Sequence, residues 1–301
     1  MQPDCSPLPH RAASRRFTSE KRLAKRIPVV QTNTILNCMA ARLTILIPTF
    51  NEERNIRDAV ACSAFADEIL IVDSFSKDQT PAIAENLGAR VIQHEYVNSA
   101  TQKNWAIPQA QNEWVMILDA DERIPPGLQQ EIVQFINNPG RYAALRIFRN
   151  NHFMGKRIRF CGWQDDSVLR VFPRDKTRYA DREVHADASV EDGEEKIAVN
   201  RLEHFTCDSF AQYMRKFDQY TTWAAGDRAR KTKHVTVVHL ALRPAWRFFK
   251  QYFLRLGILD GRAGLIICML AAFSVFLKYA KLWERQEASA AKSSEPAALN
   301  D

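Results

Sequence analysis

The 301-residue chain has no G-x-x-x-x-G-K-S/T segment and no G-x-G-x-x-G after its first strand-like run. Glycine-rich phosphate cradles of the ATPase and dinucleotide types are therefore excluded, and with them kinase-like, ATPase and dehydrogenase readings. Its six cysteines (Cys5, Cys38, Cys62, Cys161, Cys207, Cys268) form no C-x-x-C pair and have no histidines at zinc-finger spacing. Such scatter excludes a zinc module and a disulfide framework, and fits reduced structural thiols in a cytoplasm. No helix-turn-helix, zinc-finger or RNP signature is present, so nucleic acid is not an expected partner. The N-terminal region lacks the apolar core of a secretory signal, and no internal repeat is visible. The apolar run Ala263–Leu277 makes roughly 22 Å of helix at 1.5 Å per residue, short of the ~20 residues that a bilayer span needs.

What is present is a globular composition, 46% hydrophobic and 26% charged, long enough for one large core and a modest appendage. The formal net charge of +7 calls for anionic partners such as phosphates or an acidic leaflet. Residues 1–40 hold Pro3, Pro7, Pro9 and a basic cluster (Arg11, Arg15, Arg16, Lys21, Arg22, Lys25, Arg26) without apolar periodicity. They are expected to be a disordered basic tail, or a start upstream of Met39.

From Leu43 onward short apolar runs alternate with helical stretches. Leu43–Ile47, Glu68–Val72, Arg90–Gln93 and Trp114–Leu118 read as strands, with helices near Asn55–Ala64, Asp78–Leu87 and Ala100–Ala110 between them. That alternation predicts an α/β domain over residues 41–240 with a mostly parallel central sheet and right-handed crossovers. Tyr142–Phe148 and Val168–Phe172 read as further strands, and Ser209–Ala229 as a helix. Residues 241–285 are expected to form a helical membrane-associating appendage, and 286–301 a disordered tail.

In sheets of this kind the ligand crevice lies beyond the carboxyl ends of the strands, which directs attention to Asn51–Glu52, Asp73 and Asp119–Asp121. Asp119-Ala120-Asp121 leaves the strand Trp114–Leu118 and is followed by Pro125-Pro126, which open a helix. Two close carboxylate oxygens suit Mg²⁺ or Mn²⁺ bridging a diphosphate, where a metal stabilises the charge that develops on the leaving group. Asp73 ends an apolar strand and is placed to accept hydrogen bonds from a base or ribose; Asp78 reads as a helix cap.

These residues resemble a known family. Pro48-Thr49-Phe50-Asn51-Glu52-Glu53-Arg54-Asn55-Ile56, Phe65-Ala66-Asp67-Glu68-Ile69, Val72-Asp73-Ser74, Gln102-Lys103-Asn104 and Leu118-Asp119-Ala120-Asp121-Glu122-Arg123 look like family 2 glycosyltransferases. The likeness is closest to the bacterial branch with lipopolysaccharide-core β-1,4-glucosyltransferases. It extends through Asn151–Gly155, Gly162-Trp163, Leu169-Arg170-Val171-Phe172, Val184-His185, His204 and Leu259-Asp260-Gly261. The resemblance implies a GT-A type fold, a UDP-sugar-type donor, a divalent metal at Asp119 and Asp121, and inversion at the anomeric carbon. It also implies that Pro48, Thr49, Asn51, Glu52 and Asp73 surround the nucleotide. Gln102, Lys103, Asp119 and Ala120 would then lie toward the phosphates and sugar.

Inversion needs a base that deprotonates the acceptor hydroxyl opposite the leaving group. Relatives carry Val-His-Glu where this chain has Val184-His185-Ala186-Asp187, so Asp187 and the pair Asp165 and Asp166 are the candidate bases, the pair being favoured. His185 and His204 remain candidates beside a structural role. Phe75 stands where relatives have glycine in a Ser-Gly-Ser turn, which predicts a looser turn.

Arg243–Leu256 mixes Trp246, Phe248, Phe249, Tyr252 and Phe253 with Arg and Lys, the composition of a helix lying at headgroup level. The expectation is a cytoplasmic enzyme, peripheral on the inner face of the cytoplasmic membrane, acting on a glycan or glycolipid acceptor, with an anionic membrane surface as partner. A helical hairpin packed on the catalytic domain is the alternative for this region. Transfer to polyprenyl phosphate, or a non-catalytic nucleotide-sugar-binding scaffold, are the alternatives for function.

Overall fold

The computed structural model describes residues 40–180, 188–190, 193–207 and 209–294, all within one compact unit. The strands are β1 (Leu43–Thr49), β2 (Glu68–Asp73), β3 (Arg90–Gln93), β4 (Trp114–Ile117), β5 (Glu122–Arg123) and β6 (Tyr142–Phe153). They continue with β7 (Lys156–Arg157), β8 (Ser167–Pro173), β9 (Thr177–Tyr179), β10 (Ala188–Val190), β11 (Glu194–Ile197) and β12 (Leu202–Cys207). The helices are α1 (Ile56–Cys62), α2 (Thr80–Asn86), α3 (Ser99–Ala106), α4 (Pro126–Asn137), α5 (Phe210–Ala229), α6 (Arg243–Phe249) and α7 (Gly261–Ser294).

One sheet carries the order β3-β2-β1-β4-β8-β6-β12-β5, and β9 pairs separately with β10. The first four strands of that order are parallel, as the strand–helix alternation predicts. β1 is buried along almost its whole length and reads as a near-continuous apolar run because both of its faces are covered. Its Leu43, Ile45 and Ile47 pack with Ile56 and Val60 of α1 and Leu128, Ile132 and Phe135 of α4. Leu46 faces the opposite layer with Leu70, Val72, Val115, Ile117 and, at the α3 end, Ala106 and Ile107. The period-2 alternation of one strand thus divides the core into two helix-covered layers.

The second half of the sheet is mixed. β8 runs antiparallel to both β4 and β6, with Met116 opposite Val171 and Leu145 opposite Val171. β12 lies parallel to β6 and antiparallel to β5, so His204 sits beside both Asn151 and Glu122. These long-range pairings carry charged side chains to the exits of the parallel strands.

The C-terminal helices pack on this frame. The run Ala263–Leu277 is the first half of a single helix, α7, which is 34 residues long. α7 lies along α5 and α6: Phe217 and Phe273 stack with ring centroids 5.9 Å apart, and Lys281 Nζ donates to Asp218 Oδ1 at 2.8 Å. Before α7, the turn Gly257–Asp260 is pinned through buried Asp260, whose carboxylate accepts from the N–H groups of Arg159 (3.1 Å) and Phe160 (2.9 Å). Ile267 and Cys268 then join Phe153, Ile158, Cys161 and Cys207 in a shared apolar cluster. Cys62, Cys161 and Cys268 are free thiols.

Gly264 crosses the Gly257 carbonyl so closely that a Cβ would stand 1.9 Å from that oxygen. Because the obstacle is backbone, Gly264→Ala is expected to destabilise by about 3 kcal/mol or more, read as a lowered midpoint in urea.

Candidate active site

The β4 strand ends when Leu118 N–H donates to Leu46 O at 3.0 Å, and a turn closed by Glu122 N–H to Asp119 O at 2.9 Å follows. Asp119, Ala120 and Asp121 occupy that turn at the strand exit, where the topology places the crevice. The two carboxylates have different surroundings. Asp119 Oδ2 accepts from Arg170 Nη2 at 2.6 Å, and Lys103 Nζ lies 3.9 Å from its other oxygen. Buried Arg170 also donates to fully buried Glu122, which takes a further bond from Arg149 Nη1 at 3.3 Å. Arg149 in turn grips Asp166 through Nε (3.0 Å) and Nη2 (2.8 Å), and Asn151 Nδ2 donates to the same carboxylate at 2.8 Å.

Lys103, Asp119, Arg170, Glu122, Arg149 and Asp166 therefore form one alternating chain of three cations and three anions. Burial acts to raise the Asp119 carboxyl, but the charges of Arg170 and Lys103 outweigh it and hold the group well below the usual carboxylate range. Asp166 is lowered in the same sense, burial being outweighed by the bonds from Arg149 and Asn151. Lys103, which also stands 5.2 Å from the centre of the Tyr179 ring, is pushed down by burial despite Asp119.

Asp121 is different. Its charged neighbours stand further off, His204 Nε2 and Lys216 Nζ each at 3.7 Å. His204 is oriented through its other ring nitrogen, which lies 2.5 Å from Asn151 Oδ1. Glu52, Lys216 and Tyr220 share the field of Asp121, and burial raises the Glu52 carboxyl. Among the described residues no three His, Cys, Asp or Glu side chains converge as a closed metal cage. An open pair of strand-exit carboxylates, one of them not engaged at short range, fits a hard divalent cation that completes its shell with phosphate oxygens and water.

The nucleotide-side candidates lie at the exits of β1 and β2. Thr49 and Asp73 face each other in register, with Thr49 Oγ1 donating to Asp73 Oδ1 at 3.2 Å. Asp73 also accepts from Ser76 N–H at 2.9 Å and from the Ser76 hydroxyl. Three of its roughly four acceptor positions are thus taken within the turn. Pro48 is half-buried one residue before Thr49. Asn51 adopts φ 55°, a left-handed conformation asparagine tolerates, and is tied at both ends: its N–H donates to Ser76 Oγ and its Oδ1 accepts from Lys77 N–H, each at 2.8 Å. Glu52 N–H donates to Thr80 Oγ1 at 2.8 Å. Gln102, buried on α3, donates to Ser74 Oγ at 2.6 Å, and the Ala120 carbonyl accepts from Arg123 Nη1 at 2.8 Å.

The Ser74-Phe75-Ser76 turn keeps its bonds to Asp73 while Phe75 takes φ 57°, a left-handed value that glycine adopts freely and a phenylalanine does not. The expected loosening is absent; the cost is carried as backbone strain instead.

Of the candidate bases, His185 and Asp187 lie outside the described residues. Asp165 and Asp166 are adjacent in sequence but differently held: Asp165 is 58% exposed at its side chain and pairs with Arg255, whereas Asp166 belongs to the buried chain. Sequence reasoning gave no role to Arg149, Glu122, Lys216 or Tyr220. A lone arginine in the otherwise apolar run Val168–Phe172 was the available signal for Arg170.

A helix-covered sheet, parallel through β3-β2-β1-β4, with an acidic pair at the exit of β4, has the architecture of an α/β enzyme of the GT-A type. The family model for glycosyl transferase family 2 matches residues 44–222, and the chain belongs to that family. Similar curated proteins include an uncharacterized glycosyltransferase of Rickettsia felis, 30% identical over 81% of this chain and 90% of that protein. The lipopolysaccharide core biosynthesis glycosyltransferase LpsC of Rhizobium meliloti is 26% identical over 81% of this chain and 92% of its own length. Among solved structures, glucosyl-3-phosphoglycerate synthase from Mycobacterium tuberculosis, in complex with Mn²⁺, UDP and glucosyl-3-phosphoglycerate, aligns at TM-score 0.36 and 17% identity. That alignment covers 45% of this chain and 57% of the mycobacterial one.

Removing Arg170 leaves two buried or half-buried carboxylates facing each other. Arg170→Met is expected to cost about 3–5 kcal/mol in urea unfolding, whereas Asp121→Asn, whose cationic neighbours stand 3.7 Å away, is expected to cost less, about 1–2 kcal/mol.

Proposed function

We propose that the protein is a metal-dependent, inverting hexosyltransferase that moves a sugar, glucose being the leading candidate, from a UDP-sugar to a cell-envelope glycan such as lipopolysaccharide core. The observation that carries this reading is the acidic pair at the β4 exit ringed by cations, Asp119 bonded to Arg170 at 2.6 Å with Lys103 at 3.9 Å, and Asp121 with His204 and Lys216 each at 3.7 Å. Asp121 and, beside it, Asp119 would hold Mg²⁺ or Mn²⁺ against the donor diphosphate. The metal would supply charge stabilisation to the departing nucleoside diphosphate.

The protein's own residues do the rest. Asn51 and Glu52 would line the nucleotide side, on a turn that buried Asp73 braces through its bonds to Thr49 and Ser76. Lys103 and Lys216 stand on either side of the acidic pair, placed to neutralise phosphate oxygens as charge develops. Asp166 is the base that this reading favours. Its carboxylate is oriented by three hydrogen bonds from Arg149 and Asn151, which leave about one of its four acceptor positions for the hydroxyl proton while lowering its strength as a base. The likeness to LpsC supports a glycan or glycolipid acceptor.

The reading includes a peripheral position on the inner face of the cytoplasmic membrane. One helix, over Gly257–Ser289, is long and apolar enough to cross a bilayer by length and composition. Its apolar stretch is 22% buried, with Phe273 stacked on Phe217 of α5, an arrangement that suits a helix lying at the interface with one side on the protein and the other toward lipid.

Calorimetric titration with UDP, GDP and TDP, with and without Mn²⁺, is expected to show metal-dependent binding of UDP that Asp121→Ala abolishes; failure of every nucleotide to bind would overturn the transferase site. In transfer assays Asp166→Asn is expected to lower kcat by about 10²–10⁴-fold with UDP affinity unchanged. A larger loss in Asp165→Asn would move the base to that residue.

A further inference from the structure

The helices outside the sheet carry a cluster of cations that the transferase site does not use. Arg243 Nη1 donates to the hydroxyl of buried Tyr279 at 2.6 Å, and its guanidinium lies 5.5 Å from the centre of that ring. Lys278 Nζ stands 5.1 Å from the same ring. Arg247 is one turn beyond Arg243 on α6, and Arg228 lies in the last turn of α5. Burial, then Arg228, Arg243 and Arg247, push the Lys278 ammonium below the usual lysine range, so the four charges share one local field. Among the described residues none of the four makes an ion pair with a carboxylate within 4.0 Å. Four neighbouring cations without a counter-charge constitute an anion site that the protein itself leaves unfilled.

Beside the cluster runs an open groove of about 370 Å³, walled by Leu240, Pro244 and Phe248 on one side and Met269, Phe273 and Phe276 on the other. Pro244 and Phe248 directly follow Arg243 and Arg247 in sequence, and Phe276 is two residues from Lys278. Elsewhere on α6 and the turns flanking it, Leu242, Trp246, Phe249 and Phe253 are exposed. Large rings exposed among arginines are what the boundary between headgroups and acyl chains accommodates.

We propose that α6 and α7 form a binding site for one anionic membrane phospholipid, its phosphate on Arg228, Arg243, Arg247 and Lys278 and one acyl chain in the groove. The proposal rests on the membrane-association part of the reading above and deepens it from a general affinity for the leaflet to a defined site. A second copy of the chain is a poor occupant: two-fold pairing through this face would set the four cations against their own copies. A soluble anion accounts for the charges and leaves the apolar groove and the exposed rings of α6 unexplained.

The test uses the full chain and co-sedimentation with vesicles of phosphatidylcholine, with and without phosphatidylglycerol. Wild type is expected to bind the phosphatidylglycerol vesicles, and the double variant Arg247→Gln/Lys278→Gln to bind them about 25-fold more weakly, at about a factor of five per headgroup-level charge. A control of equal charge change, Arg230→Gln/Lys231→Gln, is expected to lose less than about fivefold. Melting temperature and UDP binding should match wild type in both variants, which separates loss of the lipid site from loss of fold or of transferase function. Equal losses in the two double variants would mean diffuse attraction and overturn the site while leaving membrane association intact. Wild-type protein that ignores both kinds of vesicle would overturn the membrane reading and the site together. Release from vesicles by millimolar glycerol phosphate alone, or binding replaced by dimerisation in light scattering, would likewise overturn a lipid as the occupant.

Discussion

The contact on which the rest depends is the buried guanidinium of Arg170, shared between Asp119 and Glu122. A carboxylate at a strand exit is ordinarily free to swing, and burying one without a partner is costly. Here Asp119 is fixed because an antiparallel strand, β8, is inserted beside β4 and delivers a cation where the parallel strand stops. The same insertion places Arg149 of β6 against Glu122, and through it Asp166. The mixed half of the sheet is thus the part of the fold that organises the charged side chains, while the parallel half supplies the floor of the pocket.

That arrangement divides labour inside a three-residue motif. Asp119 has its charge answered by the protein and serves to hold geometry. Asp121 faces His204 and Lys216, each 3.7 Å away, without a contact as short as the one Asp119 makes with Arg170. A motif that reads as two equivalent acids in the sequence thus has two different sets of cationic neighbours in space.

The parallel half of the fold was legible in the sequence because β1, β2 and β4 are buried on both faces and appear as uninterrupted apolar runs, each closed by the polar residue that enters the crevice. Asp73, Asp119 and Asp121 could be found by that rule alone. Arg149, Glu122 and Lys216 could not, because their roles come from strand register and from a helix that returns to the site from far along the chain. Asp165 and Asp166 show the same limit: neighbours in sequence, they fall on opposite sides of a turn, one toward Arg255 at the surface and one into the buried charge chain. The apolar run Ala263–Leu277 marks only the first half of α7, because beyond Lys278 the helix is held by polar contacts, Lys281 to Asp218 and Gln286 to the carbonyl of Thr232, that carry no apolar signal. Phe75 was noticed, but which quantity would yield, turn geometry or backbone strain, is decided only by the bonds to Asp73.

Asp260 has a consequence for handling the protein. Its carboxylate fastens the turn before α7 to the backbone at Arg159 and Phe160, directly ahead of the segment that bears Asp165 and Asp166. The apolar C-terminal helices are therefore built into the fold behind the segment that bears Asp165 and Asp166. Cutting them away to obtain a tractable soluble enzyme would expose Phe153, Ile158 and Cys161 and loosen that segment. Replacing exposed side chains such as Trp246 and Phe253, with the helices left in place, is the route that preserves the catalytic half.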